Sequence, residues 1–331
     1  MGTNKKLIIA VAAIIIIVLA SVGAYLYNQG LNLPENTPSP SPSPTPISIT
    51  LTDDTGYSLT LNEYPERIVS LAPGNTQMLF AVNAGDKVVG VTDYCNYPYN
   101  FSAWVEAGNM TSIGSYFNPA IEPIVALNPD LILASLGSSD QAAQLRNLGL
   151  SVLTLNPGNL TGVMRDILTV GKATGHETEA TTVVSIMQQR IDAVANALSS
   201  TTTKPKVYIE IGTNPYYSVG KGTFIDDLVK LAGGQNIFEN STTAYPQVSS
   251  EAIIEQDPDI IVFPSSMGTE NLNPAEVAER DGWSTVSAVT NNRIHTINGD
   301  MINQPGPRQV DALEILAKII HPEIFGTYTE P

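Results

Sequence analysis

Glu122-Pro-Ile-Val-Ala-Leu-Asn-Pro129-Asp130-Leu-Ile-Leu133 and Glu251-Ala-Ile-Ile-Glu-Gln-Asp-Pro258-Asp259-Ile-Ile-Val262 decide the fold of this 331-residue chain. Set side by side without a gap, the two stretches agree in kind along their length. Each opens on a helix-start glutamate, runs through a short apolar segment, reaches a Pro-Asp step and continues into an apolar strand. The proline ring disfavours helical geometry in the residue ahead of it, so the helix ends there and a buried strand follows. A unit used twice predicts an α/β protein of two lobes, each with a parallel sheet.

Working outward from the first copy, Arg67-Ile-Val-Ser-Leu71 reads as a strand, Pro73-Gly74-Asn75 as a turn, and the stretch from Thr76 to Ala84-Gly85 as a helix. A strand over Val88–Val91 follows, then a loop rich in Tyr, Pro and Asn. Asn118-Pro119 next supplies an Asn cap and a proline at the first helical position. Ahead of all this, Ile47-Ser-Ile49-Thr-Leu51 and Tyr57-Ser-Leu59-Thr-Leu61 alternate about Asp53-Asp54-Thr55-Gly56 and predict a hairpin. The second lobe begins with the strand Lys206-Val-Tyr-Ile-Glu-Ile211, a turn through Gly220 and Gly222, and a helix from Phe224 to Ala232. Between the lobes, Val183, Val184, Ile186, Met187, Ile191, Val194 and Leu198 recur at helical spacing and predict one long helix bridging the lobes over 163–198. A single stiff bridge implies a largely preformed cleft. The resulting division is an N-terminal segment (1–28), a linker (29–46), an N-terminal lobe (47–162), a bridging region (163–202) and a C-terminal lobe (203–331).

Lys5 and Lys6 precede an uncharged run over 7–27, which as a helix is about 32 Å long and matches the hydrocarbon thickness of a bilayer. With the lysines held inside, the remainder lies outside the cell. Val22-Gly23-Ala24 equally offers small residues for signal cleavage. Both readings export the protein; the first anchors it on the outer face of the membrane. The lone cysteine, Cys95, is far from this run and supplies no thiol for a lipid anchor there. The alternating prolines of 38–46 form an extended spacer, as a tether requires. Asn100, Asn109, Asn159 and Asn240 head Asn-x-Ser/Thr tripeptides, which is compatible with export. A formal net charge of −16 excludes a nucleic-acid partner, since binding that backbone relies on Lys and Arg.

Catalytic and metal chemistry find no support. His176, His295 and His321 are widely separated and form no ligand-spaced pair. Cys95 has Asp93, Tyr94, Asn96 and Tyr97 about it, which is not the electropositive setting of a reactive thiol. No Gly-x-Ser-x-Gly elbow or phosphate-cradling loop is present, so no enzyme, catalytic residue or cofactor is expected. Aromatic residues instead gather in loops that would follow strands, where open α/β sheets receive ligands: Tyr94, Tyr97, Tyr99, Tyr116, Phe117, Tyr216, Tyr217 and Tyr245.

From residue 49 to 325 the chain resembles the substrate-binding proteins of ATP-binding-cassette importers for iron chelates and vitamin B12. The first lobe carries the resemblance through Arg67-Ile-Val-Ser-Leu-Ala-Pro73, Ala84-Gly85-Asp86-Lys-Val-Val-Gly90-Val-Thr-Asp93-Tyr94 and the Glu122 stretch. In the second, Gly212-Thr-Asn-Pro215-Tyr-Tyr-Ser-Val-Gly220-Lys221, Gly233-Gly234-Gln-Asn-Ile-Phe238 and Tyr245-Pro246-Gln247-Val-Ser249-Ser-Glu251 are most similar to the B12-binding branch. The resemblance implies two Rossmann-like lobes joined by a single long helix, the class III periplasmic-binding-protein type. It further implies a corrinoid cargo, contacted from the second lobe by Tyr216 or Tyr217 and by Tyr245, although Tyr245 stands where the branch has tryptophan. Tyr94 and Tyr116 are the expected contacts from the first lobe. Glu122 and Glu251 would dock onto arginines of a permease served by ATPase subunits, with the binding protein a monomer. A ferric siderophore or haem remains the alternative ligand, and would call on Arg67, Arg146, Arg293 or Arg308. A membrane-tethered sensor uncoupled from transport is the alternative of another class.

Overall fold

The computed structural model describes residues 47–265 and 272–329. The apolar run at 7–27, the spacer and the division at 1–46 lie outside these residues. Among the described residues no helix is long and apolar enough to cross a membrane.

Strands β1 (Ile49–Thr52) and β2 (Ser58–Leu61) form the expected antiparallel hairpin, with Ile49 opposite Leu61. Alternation turns Ile49, Leu51, Leu59 and Leu61 inward. Its turn is fixed by Asp53, which accepts from the Thr55 and Tyr57 amides and pairs with Arg146 Nη2 at 2.5 Å. Then come β3 (Ile68–Ser70), α1 (Pro73–Ala81), β4 (Val88–Val91), α2 (Phe101–Glu106), β5 (Thr111–Ser112), α3 (Ile121–Ala126), β6 (Leu131–Ala134), α4 (Ser139–Asn147) and β7 (Val152–Thr154). Strands β3 to β7 make one parallel sheet in the order β5-β4-β3-β6-β7.

Helices α5 (Leu160–Thr174) and α6 (Glu177–Ala197) lead into the second half. There β8 (Lys206–Ile209), the small hairpin β9 (Gly212–Thr213) and β10 (Tyr216–Tyr217), α7 (Phe224–Leu231), β11 (Gln235–Asn236), α8 (Ser250–Gln256) and β12 (Ile260–Pro264) follow in turn. The described chain continues through α9 (Pro274–Ala278), α10 (Ser287–Thr290), β13 (Ile294–Ile297), α11 (Gly299–Asn303) and α12 (Gln309–Ile320). The second parallel sheet has the order β11-β8-β12-β13.

The repeat is visible down to single hydrogen bonds. Asn128 and Asp257 adopt positive φ, 45° and 47°, and end the two helices at the same step. Asp130 N–H donates to Arg67 O and Asp259 N–H to Lys206 O, while each carboxylate accepts from the amide of that same residue, Arg67 or Lys206. The aspartate after each proline therefore pins its strand to the first strand of its own sheet.

Period-two alternation splits each sheet between two cores. In β6, Leu131 and Leu133 face one core while Ile132 and Ala134 face another; in β12, Ile260 and Val262 are separated in the same way from Ile261 and Phe263. The outer cores are local, closed by α3 and α4 on one sheet and by α8, α9 and Trp283 on the other. The inner faces share one continuous core, running through Ile167, Val170, Met187, Val194, Leu313 and Leu316 of α5, α6 and α12. Each such side chain contributes about 1.5–3 kcal/mol on burial, so separating the halves would expose a large apolar area.

Three expectations are corrected. The single helix over 163–198 is two, because Gly175 at φ 76° caps α5 in the left-handed region. Close packing of Gly171 on Ala180 then folds α6 back against α5, leaving α6 alone as the long connection. Helix α1 begins at Pro73, not Thr76, since proline suits the first turn of a helix. Asn118 and Pro119 do not start α3: Pro119 bridges Gly114 across a loop, the Asn118 side chain accepts from Gln141, and Ala120 holds the cap position.

The halves also touch directly. Gly74 lies against the Pro305 carbonyl so closely that any Cβ would overlap that oxygen. Gly74→Ala is therefore expected to cost about 2 kcal/mol, as overpacking of a rigid contact does. The denaturation midpoint in urea checks this; an unchanged midpoint would mean that the contact yields freely.

Candidate ligand-binding site

The carboxyl ends of the strands of both sheets carry the aromatic loops. In the first half, Tyr94 follows β4, and Tyr116 and Phe117 follow β5. The two loops are tied together by Asp93 N–H to Gly114 O and by a hydrogen bond from Ser112 Oγ to the Asp93 carboxylate. Phe117 stands between the tyrosines, with its ring centroid 6.4 Å from Tyr94 and 4.9 Å from Tyr116. Tyr116 is half-buried and rests on Gly137, where a side chain would displace its ring; Tyr94 and Phe117 are exposed.

In the second half, the β9–β10 hairpin continues into a second pairing. Val248 N–H donates to Tyr216 O, Ser218 N–H to Pro246 O, and Gly220 N–H to Ala244 O. Tyr216, Tyr217 and Tyr245 thus share one ribbon. Tyr216 is half-buried and lies 5.9 Å from Trp283, while Tyr217 and Tyr245 are exposed. Burial raises the Tyr245 hydroxyl above its ordinary pKa, with a smaller contribution from Tyr116 of the first half. The residue as a whole is nonetheless 59% exposed.

Behind the aromatics, polar groups join the halves. Gln77 Nε2 donates to Gln304 Oε1 at 2.6 Å, Asn96 Nδ2 to Asp300 Oδ2 at 2.5 Å, and the Arg308 guanidinium lies 4.3 Å over Tyr97. A cavity of about 410 Å³ opens here, lined by Gln77, Phe80, Tyr97, Tyr99, Arg190 and Arg308 among others. None of the five predicted contact tyrosines lines it. Those rings lie outside it, on the loops that follow the strands of the two sheets.

Glu122 and Glu251 are both exposed and both second residues of their helices. Glu251 is held below the usual carboxylate range, first by its own backbone N–H and then by the Ser249 hydroxyl. Cys95 is buried against Thr76 and Thr92, and that burial pushes its thiol up, away from a nucleophilic state. His321 is buried with Nδ1 3.0 Å from Glu323. Among the described residues no group of three His, Cys, Asp or Glu side chains could hold a metal ion.

The pair Glu210–Arg280, inside the second half beneath Tyr216, was not anticipated. Its two members are 70 positions apart, and the sequence offers only Arg280 three residues before Trp283 and a glutamate at the end of an apolar strand run.

Over residues 68–301 the chain matches the family described as Periplasmic binding protein. It is 32% identical over 284 residues to an uncharacterized ABC transporter substrate-binding lipoprotein of Bacillus subtilis, covering 83% of this chain and 86% of that one. Identity to a cobalamin-binding protein of Halobacterium salinarum is 31% over 278 residues, covering 81% and 73%. Among solved structures, the periplasmic vitamin B12 binding protein of Vibrio cholerae superposes with a TM-score of 0.66 at 26% identity, covering 77% and 96%. The periplasmic heme-binding protein of Roseiflexus sp. superposes with 0.68 at 25%, covering 77% and 98%. The chain belongs to the periplasmic binding protein family, whose members are substrate-binding carriers, not enzymes. Its two parallel sheets and the long α6 between them match the class III form of that fold.

Proposed function

We propose that this protein is the extracytoplasmic substrate-binding component of an ABC importer, and that it captures cobalamin or a related corrinoid between its lobes for delivery to the permease. The carrying observation is that exposed aromatic rings, Tyr94 and Phe117 in the first half and Tyr217 and Tyr245 in the second, sit on loops at the carboxyl ends of both parallel sheets. Tyr94, Tyr116, Tyr217 and Tyr245 would contact the corrin, with Tyr216 set behind them on Trp283. The corrinoid is cargo, not a cofactor. In this reading residues 47–162 and 203–331 are the lobes, 163–202 the bridge, and 1–46 an anchor and tether that keep a monomer at the outer face of the membrane. Glu122 and Glu251 dock it on the permease.

A ferric siderophore or haem is the second reading, favoured by the heme-binding structural neighbour. An anionic ligand calls for free cations, and most arginines are committed: Arg146 to Asp53, Arg165 to Asp54 and Asp166, Arg190 to Asp311 and Glu314, Arg280 to Glu210. Arg67 and Arg293 donate to backbone carbonyls. That leaves Arg308, stacked on Tyr97, which favours a near-neutral ligand.

Calorimetric titration of the full chain in mild detergent with cyanocobalamin, cobinamide, haem and a ferric hydroxamate tests this. The expected result is tight binding of the corrinoids alone, weakened about tenfold by Tyr245→Ala, since an aromatic contact contributes about 1–1.5 kcal/mol. Binding of the iron compounds alone would overturn the corrinoid and keep the carrier.

A further inference from the structure

Glu210 directly follows β8 with its side chain fully buried, and Arg280 meets it with 11% exposure. The pair is bidentate, Nη1 to Oε2 at 2.6 Å and Nη2 to Oε1 at 2.7 Å. Two features set it apart from a simple internal salt bridge. Glu210 Oε1 also accepts from Thr213 Oγ1 at 3.0 Å, which ties the carboxylate to β9. The guanidinium lies 5.1 Å from the Tyr216 ring and 4.7 Å from that of Trp283, and the two rings are 5.9 Å apart, so cation and rings form a tight triangle. Both strands of the β9–β10 hairpin are thus gripped from beneath, β9 through Thr213 and β10 through Tyr216. The same hairpin carries Tyr217 and hydrogen-bonds the segment that carries Tyr245.

We propose that Arg280 is a positioning residue for ligand binding: through Glu210 and Tyr216 it sets the pose of the ribbon that presents Tyr217 and Tyr245. The ligand need not touch it. A planar, five-donor cation is required, because one group must fork onto a carboxylate while facing aromatic rings; lysine offers the charge without the plane. The affinity half of this inference rests on the proposed role of the ribbon tyrosines; the hairpin half does not.

Arg280→Met alone leaves a buried carboxylate without its cation and risks unfolding. The test therefore pairs Arg280→Lys with the double variant Glu210→Gln/Arg280→Met, which removes both charges at similar volume. The first readout is amide hydrogen exchange at Ile211, Ser218 and Val248, whose N–H groups bond Tyr217 O, Pro246 O and Tyr216 O. Exchange at these three is expected to accelerate at least about tenfold in the double variant, while Ile261 in β12 of the second parallel sheet stays protected. The second readout is the cyanocobalamin dissociation constant of the full chain, expected to rise about tenfold or more in the double variant and less in Arg280→Lys. Unchanged exchange at the three amides, or looser amides with unchanged affinity in a protein that binds corrinoid, would overturn the proposal. If the unaltered protein binds no corrinoid, the corrinoid reading fails, and exchange at the three amides still decides whether Arg280 positions the hairpin.

Discussion

The double variant Glu122→Arg/Glu251→Arg is expected to lower ligand uptake by at least about 100-fold while leaving the dissociation constant within about twofold. Both carboxylates are exposed at equivalent steps of an internal repeat, each the second residue of its helix. Glu122 follows Tyr116, and Glu251 follows Tyr245, by six residues, but each is an exposed side chain on the helix after the aromatic loop and neither is a proposed ligand contact, so binding should not register their loss. A permease meeting two matched carboxylates would instead meet two cations, and apposed like charges cost several kcal/mol in association. Single reversals should fall between, because one correct contact still sets orientation. The measurement is uptake by cells whose only copy of this protein is the variant, beside calorimetry on the purified chain. Full uptake by the double variant would reduce both residues to helix-start acids that answer the macrodipole. Uptake independent of the protein altogether would bring forward a tethered sensor.

The repeat was legible because its causes are local. Proline after a short apolar run ends a helix, and the aspartate that follows finds the backbone amide of the neighbouring strand in both halves. Helix α7 was read with nearly its true limits for the same reason: Thr223 caps it by accepting from Asp226 N–H. The misreadings came where tertiary packing overrides a local signal. Asn118-Pro119 is a good helix start in isolation, yet Pro119 is drawn into a bridge with Gly114. The break at Gly175 was obscured because apolar residues continue at helical spacing on both sides, and only packing of Gly171 on Ala180 reveals two helices. Of the site, the aromatic residues could be named from their loops. Their grouping could not, because the ribbon joins 216–220 to 244–248, and the polar contacts between the halves join residues more than 200 positions apart, as in Asn96–Asp300.

Asp166→Asn is expected to stabilise the protein at pH 8 by about 2 kcal/mol and to have little effect near pH 4. Asp166 sits on α5 against the β1–β2 hairpin, with its side chain 1% exposed. Arg165 donates to its Oδ1 at 3.0 Å and to Asp54 Oδ1 at 2.5 Å, while Asp166 Oδ2 is buried with no hydrogen-bond partner. Burial foremost, and then the charge of Asp54, raise its pKa to about 7, against an ordinary 3.8; Arg165 opposes them only in part. The folded state therefore keeps a proton between pH 3.8 and about 7 that the unfolded chain has already released. Stability contributed by this group is complete below the unfolded value, declines as pH rises through that interval, and is gone above it. A shift of roughly three units corresponds to at most about 4 kcal/mol, and relaxation around the ionised carboxylate reduces this to the expected 2. Asparagine cannot ionise, and its amide can donate toward Asp54 at every pH. Urea denaturation of both proteins from pH 4 to 8 should give curves that coincide at the acid end and diverge with rising pH. Parallel curves, or divergence in the opposite direction, would mean that Asp166 is ionised throughout and that Arg165 compensates its charge.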